Sequence, residues 1–339
     1  MEVVIMIESY IKAIKFYVPD IAVSDEDLQQ RFPGYDVLRT TNAIGVHNRF
    51  VVPEHMTSRD LAEKAAEKIF EEGKVKKEEI DFVLFVTQTP DYRQPATACI
   101  IQDELGLRNN VGAFDINLGC TGYLYGLSVA KALVESGMCK NVLMMTADTS
   151  TRCFHPKDVR NFAMFSDAGI ATVVSDEGMA RIGVFEQGTD GSGYDKLIIK
   201  TGGYKYPEKM NDAHFDSEGN LVSSDHAFMD GNEVFVFTIK AVPRLVRDSL
   251  AKNDMKTEDV DLFIFHQANS FILNFLRKKM KIDPDKFYID MEKYGNTSSC
   301  SVGICLVDAI EEGKIKSGDR VSISAFGIGY SWSGTVLYF

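Results

Sequence analysis

The sequence lacks the features that mark several large classes of protein. No stretch approaches the ~20 uninterrupted apolar residues of a membrane-spanning helix. The first residues, MEVVIMIESYIKAIKF, have neither the basic start nor the small-residue cleavage site of a signal peptide. The six cysteines follow no disulfide-like or CxxC spacing, which is typical of a reducing compartment. We therefore expect a cytoplasmic protein without a membrane span.

The chain is also poor in positive charge and in histidine. Its 37 Lys and Arg residues are outnumbered by 49 Asp and Glu, giving a formal net charge of −12. Nucleic-acid binding needs a basic surface, so the charge argues against that class. The six histidines form no HxxxH motif and no His/Cys pair, so we expect no metal site. A length of 339 residues suits two domains or one large double-layered unit.

What the chain does contain is a weak internal duplication. Residues 59–89, RDLAEKAAEKIFEEGKVKKEEIDFVLFVTQT, read as a helix capped by Thr57, a charged loop and a buried strand. Residues 239–269, IKAVPRLVRDSLAKNDMKTEDVDLFIFHQAN, repeat that order. Asp81 and Asp261 stand at matching points before the two strands. The repeat predicts two halves of similar structure.

The next segments of the two halves match as well. LGCTGYLYGLSVAKALVESG (118–137) corresponds to YGNTSSCSVGICLVDAIEEG (294–313), and each is followed by an apolar strand. Alternating helices and strands predict an α/β fold with mostly parallel sheets. We expect halves spanning residues 1–176 and 177–339, with the central helices buried between layered sheets. Cys120 and Asn296 would then lie at equivalent helix starts beside a pseudo-two-fold axis.

Several motifs give the chain a family resemblance along almost its whole length. They are GCTG (119–122), FSDAGIATVV (165–174), MDGNEVFVF (229–237), HQAN (266–269), YGNTSSCSVG (294–303) and AFGIGYSWSG (325–334). Together they resemble the thiolase-fold condensing enzymes of the 3-oxoacyl-(acyl-carrier-protein) synthase III type. The resemblance implies a thiolase-like fold and a catalytic triad of Cys120, His266 and Asn296. It also implies an oxyanion hole formed by the Cys120 amide and the loop Gly327-Ile328-Gly329, and it places Gln94 and Asn269 in the substrate site.

Each member of the triad has a plain structural alternative. A free cysteine is most often a small buried hydrophobe, but Cys120 lies between glycines at a helix start, where the helix would lower the pKa of its thiol. A histidine at a strand end is often only hydrogen-bonded, and an asparagine often caps a helix. The matched positions of Cys120 and Asn296, together with the carboxyl-end position of His266, favour the catalytic interpretation.

The resemblance implies a decarboxylative condensation without a cofactor. Cys120 would take the acyl group from a thioester, and a malonyl thioester on acyl carrier protein would then lose carbon dioxide and attack it. The enzyme would be a homodimer in fatty-acid or related acyl-chain biosynthesis. Two alternatives stay open: an acyltransferase or thioesterase of the same fold, and a non-catalytic partner subunit. The complete triad favours condensation.

Three local features bear on the partners. In the stretch VLRTTNAIGVHNR (37–49), the Trp with which relatives hold coenzyme A is absent and Ala43-Ile44 replaces their Arg-Thr pair. This departure disfavours acyl-coenzyme A as the acyl donor and favours an acyl carrier protein, and both donors stay open. Gln94 stands where relatives carry an apolar pocket residue, and it is either a solvated loop residue or a polar pocket wall. A basic cluster near the end of one helix is either a carrier-docking patch or a favourable partner of the helix dipole; it comprises Arg277, Lys278, Lys279 and Lys281.

Overall fold

The computed structural model describes residues 7–217 and 219–339. Its strands are β1 Tyr10–Tyr17, β2 Ile21–Val23, β3 Arg49–Val51, β4 Phe82–Val86, β5 Gly112–Ile116, β6 Asn141–Asp148, β7 Ala168–Ser175, β8 Ala180–Ile182, β9 Glu186–Thr189, β10 Leu197–Ile198, β11 His214–Phe215, β12 Leu221–Val222, β13 Phe228–Met229, β14 Leu262–Phe265, β15 Phe287–Tyr288, β16 Arg320–Gly327 and β17 Ser331–Tyr338. Its α-helices are α1 Asp25–Arg31, α2 Val37–Ile44, α3 Ser58–Glu71, α4 Thr97–Glu104, α5 Gly122–Glu135, α6 Val159–Met164, α7 Gly231–Lys252, α8 Ser270–Lys279, α9 Met291–Tyr294 and α10 Ser301–Glu311. None of the helices in these described ranges is long and apolar enough to cross a bilayer.

The two halves repeat one order of elements. In the first half α3, β4, α4, β5, α5, β6 and β7 follow one another, and α7, β14, α8, β15, α10, β16 and β17 do so in the second. The large sheet has the order β15-β14-β16-β17-β8-β1-β7-β6-β4-β5, with β9 beside β17. The order β5-β4-β6-β7 in one half therefore mirrors β15-β14-β16-β17 in the other. The predicted duplication and the thiolase-like α/β architecture are confirmed.

The sheet is mixed, so the expectation of mostly parallel strands was wrong. Among the described strands of this sheet, parallel pairing holds only within the triplets β5-β4-β6 and β15-β14-β16. The other pairs in the large sheet, including β6 with β7 and β16 with β17, are antiparallel. The reason is plainest at β16 and β17, which are joined by residues 328–330 alone. A link that short reverses the chain, whereas parallel neighbours need a long crossover.

Asp81 and Asp261 do the same work in the two halves. Asp81 precedes β4, and its Oδ2 accepts a 3.0 Å hydrogen bond from the amide of Asn141 at the start of β6. Asp261 precedes β14, and its Oδ2 accepts a 2.8 Å bond from the amide of Arg320 at the start of β16. Each carboxylate thus fixes the register of a parallel pair, which explains why both halves retain an aspartate there.

The central helices α5 and α10 lie in the main core between the halves. Their apolar side chains pack with those of both sets of strands, and almost every residue of α10 is buried. The two helices approach closely: a Cβ added at Gly303 of α10 would collide with Ile170 and lie 2.9 Å from the ring of Tyr123 in α5. Helices α3 and α4 cover the outer face of the first half, and α7 and α8 cover that of the second. The predicted burial of the central helices is confirmed.

The strands of the two halves are linked into one sheet through β8. Strand β8 pairs with β1 of the first half and with β17 of the second, both antiparallel. The expected boundary after Asp176 falls in the turn between β7 and β8. Division into domains 1–176 and 177–339 stays a prediction.

Candidate functional site

Cys120 lies in the turn between β5 and α5. The turn is closed by a 2.6 Å bond from the amide of Gly122 to the carbonyl of Gly119, and the Cys120 side chain is half-buried. The end of β16 covers the sulfur from the other half of the chain. A Cβ added at Gly327 would lie 2.7 Å from the Cys120 Sγ. Glycine is therefore needed at position 327 for the backbone to reach the thiol.

Burial raises the pKa of the Cys120 thiol above its ordinary value, so the expected lowering by the helix start does not prevail. The amides of Ile328 and of Cys120 itself hydrogen-bond to the sulfur and oppose the rise, while the carboxylate of Asp148 adds to it. The net result is a neutral thiol beneath two converging amide donors. The family resemblance places the oxyanion hole at the Cys120 amide and the loop Gly327-Ile328-Gly329, and Ile328 is the residue of that loop whose amide contacts the sulfur. An anionic oxygen can replace the sulfur as acceptor of these two amides.

His266 follows β14 and is 2% exposed. Its Nδ1 lies 2.7 Å from the Oγ of Ser301, the first residue of α10. Its ring meets that of Phe326 edge to face, with centroids 5.8 Å apart. Burial lowers the pKa of His266 to about 4. The imidazole is therefore neutral near pH 7 and acts as a hydrogen-bond donor through one nitrogen only.

Asn296 is held by backbone contacts on both sides. Its amide donates to the carbonyl of Met164 at 2.9 Å, and its carbonyl accepts from the amide of Ser166 at 3.0 Å. In the side chain, Oδ1 accepts from the amide of Ser298 at 2.9 Å, and Nδ2 donates to the carbonyl of Ala268 at 3.3 Å. The cap-like role and the catalytic role are thus compatible, because Nδ2 has a second hydrogen to donate.

The contacts bring the three predicted residues to one place. Cys120 touches Gly327, whose neighbour Phe326 packs on His266, and Asn296 is bonded to Ala268, two residues beyond that histidine. The strand ends and helix starts of both halves therefore meet around the thiol. Within the described ranges, no three His, Cys, Asp or Glu side chains group to hold a metal ion.

The loop Gly327-Ile328-Gly329 is tied to the nucleophile turn. The Oγ of Ser331 donates to the carbonyl of Ile328 at 2.8 Å and lies 2.7 Å from the Oγ1 of Thr121, the residue after Cys120. A Cβ added at Gly119 would lie 3.1 Å from the Cγ2 of Ile328. The bulk of Ile328 therefore packs over the turn and helps to fix the loop.

Sequence reasoning missed a buried carboxylate behind the thiol. Asp148 at the end of β6 accepts a 2.8 Å bond from the amide of Gln88 and a 2.6 Å bond from the Oγ of Ser299. Burial raises its pKa. It links β6 to the loop after β4 and to the segment that carries Asn296. The one available signal was an aspartate at the end of an apolar run.

The other predicted site residues are more dispersed. Gln94 is exposed in the loop before α4. Asn269 is the N-cap of α8, and its Oδ1 accepts from the amide of Ile272 at 2.8 Å. It adjoins the site because it is three residues from His266. Substrate binding by Gln94 and Asn269 stays a prediction.

Two residues of the basic cluster donate hydrogen bonds to backbone carbonyls, and the other two extend into solvent. Arg277 is half-buried and donates to the carbonyl of Ile282 at 3.4 Å, and Lys279 donates to the carbonyl of Ile239 at 2.7 Å. Lys278 and Lys281 are exposed. The first pair secures the end of α8, so the second pair is the part that is free to meet a partner.

The stretch 37–49 forms helix α2 rather than a loop throughout. The helix ends at Gly45, which has φ +70° and abuts Ser270 at the start of α8. Arg49 is buried and pairs with Asp25 at 2.7 Å while donating to the carbonyl of Ala163. Arg49 is therefore a structural residue that fastens α1 to α6. The single tryptophan, Trp332, lies in β17 and packs on Phe237 of α7.

Comparison with known proteins places this site in context. Residues 114–191 match the family described as 3-oxoacyl-[acyl-carrier-protein (ACP)] synthase III, and residues 250–339 match its C-terminal family. The chain is 36% identical over 323 residues to the beta-ketoacyl-[acyl-carrier-protein] synthase III of Caldanaerobacter subterraneus subsp. tengcongensis, covering 95% of both chains. A crystal structure of a 3-oxoacyl-(acyl-carrier-protein) synthase III superposes with a TM-score of 0.95 at 39% identity, covering 98% of this chain and 100% of the other. The priming beta-ketosynthase of a polyketide biosynthetic pathway superposes at 0.87 with 27% identity, covering 100% and 98%.

The buried His266 generates a prediction about pH. The unfolded chain takes up a proton on this histidine near pH 6.5, but the folded protein does so only near pH 4. Between these values the unfolded state binds more protons, so the free energy of unfolding must fall as the pH falls. From pH 7 to pH 4.5 we expect the free energy of unfolding of His266→Asn to fall by about 2 kcal/mol less than that of the wild type.

Urea denaturation of both proteins at the two pH values measures this difference. His214→Asn, in the exposed strand β11, is the control and should retain the wild-type pH dependence. The same pH dependence in His266→Asn and wild type would show that burial does not hold His266 neutral.

Proposed function

Because this chain belongs to the 3-oxoacyl-(acyl-carrier-protein) synthase III family, we propose that it condenses an acyl thioester with a malonyl thioester through an acyl-Cys120 intermediate. The observation that carries the proposal is the chain of contacts that joins Cys120, through Gly327 and Phe326, to His266 and then to Asn296, because these residues offer two pairs of neutral donors. Two are the amides of Cys120 and Ile328 at the sulfur, and two are the side chains of His266 and Asn296. The reaction forms two oxyanions in turn, and each needs a pair of donors.

The first half-reaction is acyl transfer. The sulfur of Cys120 attacks the thioester carbonyl, and the amides of Cys120 and Ile328 hold the oxyanion of the tetrahedral intermediate. When the intermediate collapses, the donor thiol departs with the proton that the cysteine has lost. The raised pKa of Cys120 is consistent with a thiol that ionises only as the donor binds.

The second half-reaction forms the carbon–carbon bond. The malonyl carboxylate leaves as carbon dioxide, and its electron pair becomes an enolate whose oxygen accepts hydrogen bonds from His266 and Asn296. The enolate carbon attacks the acyl-cysteine carbonyl, and collapse releases a 3-oxoacyl thioester and the Cys120 thiolate, which takes a proton from solvent. Loss of carbon dioxide generates the carbanion, so no side chain has to act as a strong base and no cofactor enters.

The partners in this proposal are acyl carrier protein and an acyl donor. The malonyl group would arrive on the carrier, and the acyl group would arrive on either the carrier or coenzyme A. Ala43 and Ile44 end α2 where relatives carry an Arg-Thr pair that holds coenzyme A. This departure favours the carrier as donor of both groups.

We also propose a homodimer paired along β5. Among the described strands, β5 ends the large sheet and pairs only with β4, and it exposes Phe114. An exposed edge strand readily pairs with a second copy of itself. The β5 residue Asp115 accepts a 2.6 Å bond from the amide of Thr97. Thr97 begins α4, and Gln94 lies three residues earlier in the preceding loop. Gln94 is therefore beside the proposed interface, where it can contact the partner's acyl pocket.

The division of labour predicts different effects for two variants. Cys120→Ala should abolish acylation, because no nucleophile remains, while alanine at a helix start leaves the fold intact. Asn296→Ala should leave acylation nearly unchanged but slow decarboxylative condensation by ~10²-fold, the usual effect of losing one oxyanion donor. Intact-mass spectrometry measures the acyl-enzyme, and release of carbon dioxide measures the second step.

Acyl mass on Cys120→Ala would contradict the nucleophile assignment. Equal losses of both half-reactions in Asn296→Ala would contradict the separate roles. If the wild-type protein transfers the acyl group to water or to an alcohol as fast as it condenses it with the malonyl thioester, the acyltransferase or thioesterase alternative would be favoured.

The polar side chain of Gln94 at the proposed pocket wall leads to a prediction about which acyl donors the enzyme prefers. Gln94→Phe should raise the ratio of kcat/KM for short apolar donors over hydroxylated donors by roughly tenfold, because a ring replaces an amide at the pocket wall. Gln94→Ala is the control, since it removes the amide without adding apolar surface. Sedimentation velocity on both variants checks that the dimer is retained. An unchanged preference would return Gln94 to the role of a solvated loop residue.

The exposed lysines of the basic cluster predict a carrier-specific effect. Lys278→Glu with Lys281→Glu should raise the KM for a carrier-bound substrate by roughly three- to tenfold through slower association. Turnover of a small thioester analogue should stay at the wild-type rate. Lys314→Glu with Lys316→Glu makes the same change of net charge after α10 and serves as the control. Equal effects on both substrates, or on both double variants, would exclude α8 as the docking site.

A further inference from the structure

The role proposed for His266 requires one of its two neutral tautomers. The enolate oxygen needs a donor, and a neutral imidazole donates from only one nitrogen. The Nδ1 atom lies 2.7 Å from the Oγ of Ser301, and within the described residues Nε2 forms no hydrogen bond. Only the tautomer with hydrogen on Nε2 presents a donor to substrate.

The contacts of Ser301 determine which tautomer is present. Within residues 7–217 and 219–339 its Oγ has two partners, Nδ1 of His266 and the amide of Gln267 at 3.3 Å. The amide can only donate, so the serine oxygen accepts there. The single hydroxyl hydrogen then has one acceptor, Nδ1. The opposite tautomer would leave that hydrogen without a partner on a side chain that is 2% exposed, an unfavourable state for a buried polar group.

We propose that Ser301 is a positioning residue that holds His266 in the Nε2–H tautomer and so makes it a donor to the enolate. The backbone supports this arrangement, because the amide of His266 donates to the carbonyl of Ser324 at 2.8 Å and fixes where the ring starts. Ser301 follows Asn296 by five residues in the segment that opens α10. That segment thus supplies one enolate donor directly, through Asn296, and orients the other through Ser301.

The first test reads the tautomer itself in the wild-type protein. With ¹⁵N-labelled histidine, long-range ¹H–¹⁵N correlation distinguishes a protonated Nε2 from a protonated Nδ1, and comparison with His266→Asn assigns the signal. We expect His266 to show hydrogen on Nε2 near pH 7. Hydrogen on Nδ1 would overturn the proposal without any serine variant having to fold. This reading is independent of activity, so it also separates the tautomer assignment from the proposed function on which the catalytic role rests.

The second test removes the hydroxyl. Ser301→Ala should let the Nδ1–H tautomer become populated and lower kcat for decarboxylation by roughly 10- to 100-fold, the usual effect of removing a partner that orients a functional histidine. Its KM and the rate of Cys120 acylation should change by less than about twofold, since neither uses the Nε2 donor. Ser301→Cys keeps the shape with a weaker donor and should fall between alanine and wild type.

Ser249→Ala is the matched control, because Ser249 is a fully buried serine of α7 whose Oγ has no partner among the described residues. It should retain the wild-type tautomer and both rates. An unchanged His266 tautomer in Ser301→Ala, or equal losses of acylation and decarboxylation, would assign Ser301 a packing role only. Absence of condensation in the wild type, with the Nε2–H tautomer observed, would overturn the proposed function instead.

Discussion

The site depends on close contact between the sulfur of Cys120 and the backbone of Gly327, which has no side chain. Gly327 ends β16 in the second half of the chain, while Cys120 lies in the turn before α5 in the first, and a Cβ added at Gly327 would lie 2.7 Å from the sulfur. This contact brings the amide of Ile328 to the thiol and sets Phe326 against His266. The hairpin holds its position because Ser331 links the carbonyl of Ile328 to Thr121. Where the halves meet is therefore where the chemistry is assembled.

Burial determines the charge state of the assembled site. It raises the pKa of the Cys120 thiol and lowers that of His266 to about 4, so both groups are neutral near pH 7. A thiolate–imidazolium pair, as used by many cysteine hydrolases, is disfavoured here. A neutral site suits a reaction whose negative charge arrives with the malonyl carboxylate and passes to oxyanions. Donors fixed before the charge forms stabilise it without reorganising.

Much of this arrangement can be predicted from the sequence, because duplication makes each half a check on the other. The pairing of Asp81 with Asp261 and of Cys120 with Asn296 locates equivalent strands and helix starts. The antiparallel pairing of β7 with β6 and of β17 with β16 could not be predicted that way. The hydrophobic pattern of a strand does not show whether it runs parallel or antiparallel to its neighbour. The contact between Ser301 and His266 joins residues 35 positions apart and depends on how α10 is rotated. The pKa of Cys120 depends on its depth, which is a property of the packed halves.

The two halves use equivalent helix starts in opposite ways. In the first half, the amides at the start of α5 and in the adjoining hairpin point at the sulfur, where negative charge develops. In the second half, the equivalent position is Asn296, whose Oδ1 takes up the amide of Ser298. That bond removes an amide from the pocket and fixes the side chain so that Nδ2 can donate instead. In the mechanism proposed above, equivalent positions therefore serve as the nucleophile's oxyanion hole on one side of the pseudo-axis and as a side-chain donor on the other. A condensation that forms two different oxyanions in sequence requires that difference between the halves.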